Sequence, residues 1–281
     1  KALRRRRARH PQRAHRLHDG GSAESMTKRR SLVLLIKQRV TRKRRHACDD
    51  GSTMADYLEG VLADAATPAE LRPFYESFHE LHSKRLWYQL TQRIEEFLRH
   101  PASQQRPRQI DLYEHFIRTF AKHVNHLKLA NFGVIVSRQY QDAAEACQFL
   151  QKLATESDEA ATQDAFVLLS MEAAHFQLLL GELALTKATI DKCAKLLDGF
   201  DAVEPVVHAS YYRVCGDYHK AKAEYADYYR NHLLFLACIN VEADMSATEK
   251  VQCAHDLSIS ALLGDTIYNF GELVRADATL C

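Results

Sequence analysis

The chain has 281 residues, 46% of them hydrophobic, with 10 Gly, 6 Pro and 7 Cys and a formal net charge of +2. That apolar share supports a sizeable core and excludes a chain disordered throughout. Scarce Gly and Pro, and no Asn-Gly or Asp-Gly signal between alternating apolar runs, exclude a hairpin-built protein and argue for helices.

The near-neutral charge hides a division at Met54. Residues 1–53 hold 17 Lys/Arg against 4 Asp/Glu, whereas residues 54–281 hold 21 against 32. The first segment contains Arg4-Arg5-Arg6-Arg7 and Arg42-Lys43-Arg44-Arg45 but no aromatic residue, so it lacks the stacking platforms that single-strand recognition wants. It reads as a basic, disordered leader outside the helical pattern or as upstream sequence wrongly included, and the preferred reading is that translation begins at Met54. Its longest apolar run, Leu32–Ile36, is far short of the roughly 20 residues a membrane span needs. The cysteines are widely spaced, with no Cys-x-x-Cys and no secretory signal, which fits free thiols in a reducing cytosol or nucleus.

From Met54 onward the pattern is helical. Thr67-Pro68-Ala69-Glu70 has the form of a capping box, and Leu71, Phe74, Tyr75, Phe78 and Leu81 follow at helical spacing. A second helix is predicted over Leu86–Leu98, stopping at His100-Pro101. Apolar residues keep the same spacing over Ile110–Leu129, and Phe132–Leu153 is predicted as the next helix. Ser157-Asp158-Glu159 opens a long one that runs to Leu180 and ends at Gly181, a natural left-handed cap. Leu183–Leu197 ends at Gly199; Val206–Val214 and Tyr218–Val241 form a pair broken at Gly216. Ser246-Ala247-Thr248-Glu249 is a second capping box, for a helix ending at Leu263 before Gly264. Many helices joined by short loops make a solenoid. Aligning the turns at Arg138, Gly181 and Gly216 gives irregular tetratricopeptide-like repeats.

Few constellations suggest chemistry. His79-Glu80-Leu81-His82 and His123-Val124-Asn125-His126 space their histidines three apart, not the four of a zinc-protease helix, and neither has an obvious third ligand nearby. They read as helix-surface histidines. Cys193, Cys215, Cys238 and Cys253 fall one to a helix and read as small buried hydrophobes. Nucleophile-elbow and phosphate-loop patterns are missing. The group Tyr211, Tyr212, Tyr218, Tyr225, Tyr228 and Tyr229 suits either core packing or a protein interface. Adjacent Tyr228 and Tyr229 point apart on a helix, which predicts one of them near the surface.

The stretch from Asp256 to Leu273, with Leu263-Gly264-Asp265-Thr266-Ile267-Tyr268-Asn269-Phe270-Gly271 at its centre, resembles the PCI family of proteasome-lid subunits. Lys84–Thr91, Leu127–Tyr140 and Tyr228–Leu236 extend the likeness over nearly all of 54–273. The resemblance implies an all-α, right-handed tetratricopeptide-like solenoid over 54–263 and the start of a PCI region over 264–281. It also implies a scaffold without catalytic residues, metal or cofactor. After Leu273 the sequence leaves the family pattern, so the PCI winged helix is expected to be missing, as in a truncated gene model or splice variant.

The function implied is structural support of the regulatory-particle lid in ubiquitin-dependent degradation, in cytoplasm and nucleus, with other lid subunits as partners. No membrane, no small-molecule substrate and, for 54–281, no nucleic acid is expected. The interface residues implied are Tyr228, Tyr229, Leu263, Tyr268, Phe270 and Leu273. The alternatives are a subunit of another PCI assembly (the COP9 signalosome or translation initiation factor three) or a free tetratricopeptide-like adaptor. A basic-leader nucleic-acid binder, whose affinity falls steeply with salt, is the reading from another class.

Overall fold

The computed structural model describes residues 56–64, 67–157, 162–200 and 202–268, together with 271 and 274. All of them lie in the unit Thr53–Cys281. The basic leader, Asp158-Glu159, Phe270 and Leu273 fall outside the described residues. Among those described, every regular element is helical. The elements are α1 (residues 56–63), α2 (Arg72–Ser83), α3 (Trp87–Arg99), α4 (Arg108–Leu112), a π-helical turn (Tyr113–Ile117) and α5 (Arg118–Phe120). There follow α6 (His126–Ser137), α7 (Ala143–Glu156), α8 (Gln163–Leu179), α9 (Leu183–Leu197), α10 (Pro205–Ala221), α11 (Tyr225–Cys238), α12 (Val241–Asp244) and α13 (Ala247–Leu263).

Helices pack on their neighbours in sequence: α2 on α3, α6 on α7, α8 on α9, α10 on α11, with α6, α8 and α10 in line and α11 meeting α13. This is a helical-repeat solenoid, in which each pair buries its apolar face against the next. The hub is α8, buried continuously from Ala165 to Ala174 and touching α6, α7, α9 and α10. A helix apolar on all sides has to be enclosed on all sides.

Several boundaries follow the sequence. α9 spans the predicted Leu183–Leu197, and Gly181 takes φ +81°, a left-handed turn that a Cβ would strain. Ser246 and Glu249 form the predicted capping box at α13. Other boundaries differ. Thr67 does not cap a helix; its hydroxyl donates to Val61 O at 2.8 Å, and α2 begins at Arg72 without a side-chain cap. The Ile110–Leu129 stretch is interrupted by the π turn and again at Asn125, whose side chain accepts from Leu127 and Lys128 N–H and starts α6. Phe132–Leu153 is two helices, because Asp142 caps a fresh start at Ala143.

Gly216 breaks nothing. It sits inside α10, where its missing side chain faces Tyr228 and His232 of α11, and the chain reverses instead at Ala223, φ 57°. With that correction the turns at Arg138, Gly181 and Ala223 fall at nearly equal intervals, longer than a tetratricopeptide repeat.

Two apolar cores result. The larger runs from Leu58 to Tyr218. Its first part is an aromatic cluster in which Phe97 meets Phe74, Tyr75 and Phe78 edge-on, and Phe78 stacks on Phe116 at 5.5 Å. Each such side chain, fully buried, contributes about 1.5–3 kcal/mol from area alone. The smaller core joins Tyr228 and Tyr229 to Cys253, Leu257 and Ala261.

Candidate functional site

The tyrosines expected at an interface are structural. Tyr228 and Tyr229 are 2% and 4% exposed, and the expectation that one lies near the surface is corrected. Neighbours on a helix point about 100° apart. Here α10 covers one direction from α11 and α13 covers another, so both rings are enclosed. Tyr228 also stacks on His232 at 5.1 Å. Burial, the first cause, together with the Asp256, Cys253 and Asp217 charges, holds its hydroxyl protonated far above the ordinary phenol range.

Leu263 and Tyr268 are accessible, at 53% and 86%. They continue a stripe that sequence reasoning missed. On α13, Cys253, Leu257 and Ala261 point to the core, while Val251, Ile259 and Leu262 are exposed on the outside. Residues 251, 255, 259 and 262 recur at helical spacing, so Val251, Ile259 and Leu262 share one side of the helix, with His255 between the first two. An alternation read on both faces of α13, rather than on its buried face alone, signals it.

A second feature is a cavity of about 680 Å³ lined by residues of α6, α8, α10, α11 and α13. In its wall Glu172 of α8 receives Arg213 at 2.5 Å and the Ser210 hydroxyl at 2.8 Å, both from α10. Burial raises the Glu172 carboxyl, but the Arg213 and Arg138 charges, the Ser210 hydrogen bond and His175 outweigh it and hold the group below its usual range. Asp256 of α13 is lowered in the same way: burial opposes, while Lys220 and Gln252 hydrogen bonds prevail. At 3.0 Å from Cys253 Sγ stands His232 Nε2, and burial pushes the His232 pKa down.

The histidine pairs assemble no ligand set. His82 meets the edge of Trp87 and His123 stacks on its face at 4.7 Å, so the two serve the aromatic cluster, while His79 and His126 are exposed. Among the described residues one trio has metal-ligand reach, His219, Glu224 and Asp227. Its atoms are engaged already: Glu224 contacts His219 Nδ1 at 2.6 Å and pairs with Lys222, and Asp227 faces Arg230. The ammonium of Lys222 opposes a cation there. Of the four helix cysteines, Cys193, Cys215 and Cys253 are buried and Cys238 half-buried. Burial pushes Cys193 up to about 12 and Cys215 up to about 11, which leaves little nucleophilic thiolate.

The fold defines a helical-repeat protein with exposed apolar side chains on α13 and a cavity among its stacked helices. Residues 74–280 match the family described as PSD13 N-terminal repeats, and the chain belongs to that family. It is similar to the 26S proteasome non-ATPase regulatory subunit 13 homologs A and B of Arabidopsis thaliana, each 37% identical. Those alignments cover 78% and 73% of this chain and 56% and 54% of the relatives. The Schizosaccharomyces pombe protein named "Probable 26S proteasome regulatory subunit rpn9" is 38% identical over 79% of this chain and 56% of its own length. The chain thus spans little more than half the length of these relatives. No helix among the described residues is long and apolar enough to cross a membrane.

Proposed function

We propose that this chain is a non-catalytic structural element of the proteasome regulatory-particle lid, supporting ubiquitin-dependent degradation by holding other subunits together. The observation that carries this reading is the match of residues 74–280 to PSD13 N-terminal repeats. The names of the relatives, regulatory and non-ATPase, point the same way.

The docking face in this reading is the outer side of α13 with Leu263 and Tyr268; the family resemblance adds Phe270 and Leu273 as interface residues. Exposed apolar side chains in one line are what a partner helix covers. Other lid subunits are the partners, and cytoplasm and nucleus are the compartments. The acidic surplus of 54–281 argues against nucleic acid as a ligand, and the reading includes no cofactor or small-molecule substrate.

The test is copurification of the tagged full chain with lid subunits, identified by mass spectrometry. Lid subunits are expected with the unaltered chain and are lost with the double variant Leu262→Lys, Tyr268→Lys. Recovery of signalosome or initiation-factor subunits instead, or undiminished lid binding by the double variant, overturns it.

A further inference from the structure

We propose that the cavity between α6, α8, α10, α11 and α13 is a binding groove for a short, extended, carboxylate-bearing peptide segment, gripped by Arg99 and Arg138. The inference is independent of which assembly the outer face of α13 joins.

Five carboxylates line the cavity, and four of them accept hydrogen bonds within the chain. Glu172 is held by Arg213 and Ser210, and Asp256 by Lys220 and Gln252. Glu249 accepts from Ser246, Asp244 accepts from the Asn240 N–H at 3.0 Å, and Asp217 faces His175 Nδ1 at 3.5 Å.

The cations of the same wall are not all matched. Lys128 pairs with Glu95, Arg213 with Glu172 and Lys220 with Asp256. Arg99 and Arg138 make no ion pair or hydrogen bond among the described residues, although the Arg138 charge helps lower Glu172 and Glu249. Deeper in the wall, Arg213 Nε is buried without a hydrogen-bond partner, and so is Nδ1 of His232, a residue only 9% exposed. On the other side of that imidazole, Nε2 lies 3.0 Å from Cys253 Sγ.

The unmet donors of the cavity are therefore those of Arg99, Arg138 and Arg213 Nε, all charged, and the ligand that satisfies them is rich in acceptors and negative. Arginine clusters recognise acidic peptide motifs in this way, and repeat proteins use faces spanning several repeats for extended segments. The cavity is within the 300–1,000 Å³ range of ligand sites, and its lining extends from Arg99 at the end of α3 to Asp256 of α13. A polyphosphate, with more negative charge per unit length than a short peptide, is repelled more strongly by the five carboxylates in the same wall.

The experiment is fluorescence anisotropy on the full chain, with a fluorescein-labelled hexapeptide alternating glutamate and leucine as the probe. Comparators are its glutamine counterpart and a labelled hexathymidylate. The acidic peptide is expected to bind at least tenfold more tightly than either comparator, and its affinity to fall tenfold or more in Arg138→Ala and in Arg99→Ala. Both side chains are exposed, so circular dichroism should show both variants folded. Equal binding of the glutamine peptide, tighter binding of the oligonucleotide, no binding at all, or unchanged affinity in the folded variants overturns the proposal.

Discussion

The two apolar cores are built from the same residue types and differ in what they leave uncovered. The larger one, from Leu58 to Tyr218, is walled by helices on several sides and has α8 running through it. The smaller one lies between α11 and α13, and α13 shows an apolar line on its far side as well. A core closed on all sides needs nothing further for its stability, whereas a core that is one helix thick gains from anything that covers the helix. The second region is thus the less stable and the more receptive of the two.

The comparison can be broken most forcefully at the aromatic cluster. Phe116→Ala removes a ring that stacks on Phe78 and meets Phe120, and is expected to cost about 3–5 kcal/mol, read as a lower midpoint of urea unfolding for the whole chain. Arg213→Ala leaves Glu172 charged and buried without its main partner, at a cost of about 3 kcal/mol in the same assay.

The same ion pair makes stability depend on pH. In the folded chain the Glu172 carboxyl lies below its usual 4.5, to which it returns on unfolding, so the unfolded state takes up the proton first. Its contribution is complete above that value and is lost as pH falls through the lower folded-state value. Melting temperatures measured from pH 7 down to pH 3 should drop less steeply in Glu172→Gln than in the unaltered chain.

Leu257→Ala, in the smaller core, is expected to cost about 2–3 kcal/mol. Its effect should be confined: hydrogen exchange should accelerate in α11 and α13 while protection in α8 stays unchanged. If α8 loses protection equally, the two cores are one cooperative unit and the contrast fails. The smallest effect expected is a gain. Gly216→Ala places a methyl in ordinary contact, 3.7 Å from Tyr228 and His232, inside a helix where glycine is unfavourable, and should stabilise by about 0.5–1 kcal/mol in thermal melts.

That last prediction also shows where sequence reading stops. Gly181 and the Ser246–Glu249 box were legible because the residue itself supplies the conformation or the hydrogen bond. Gly216 was read as a breaker because glycine permits a turn, but here its role is to let α11 approach α10. The true reversal at Ala223 has a left-handed backbone on a residue that gives no such signal. The family likeness pointed to Leu263 and Tyr268, and both are exposed, yet it could not separate them from the buried Tyr228 and Tyr229. Burial there depends on α13, some 20 residues further on, coming back against α11. The groove was illegible for the same reason: Arg99, Arg138 and His232 are brought together only by the stacking of successive helix pairs.

The enclosure of α8 has a mechanical consequence. Close-packed interiors compress little and pass strain on, and this helix bears at once on α6, α7, α9 and α10. A push applied at one pair cannot be absorbed by α8 yielding on a free side, since from Ala165 to Ala174 it has none. Load entering near α6 is delivered to α10, so the stacked pairs act as a stiff strut whose compliance is concentrated at its last joint, between α11 and α13.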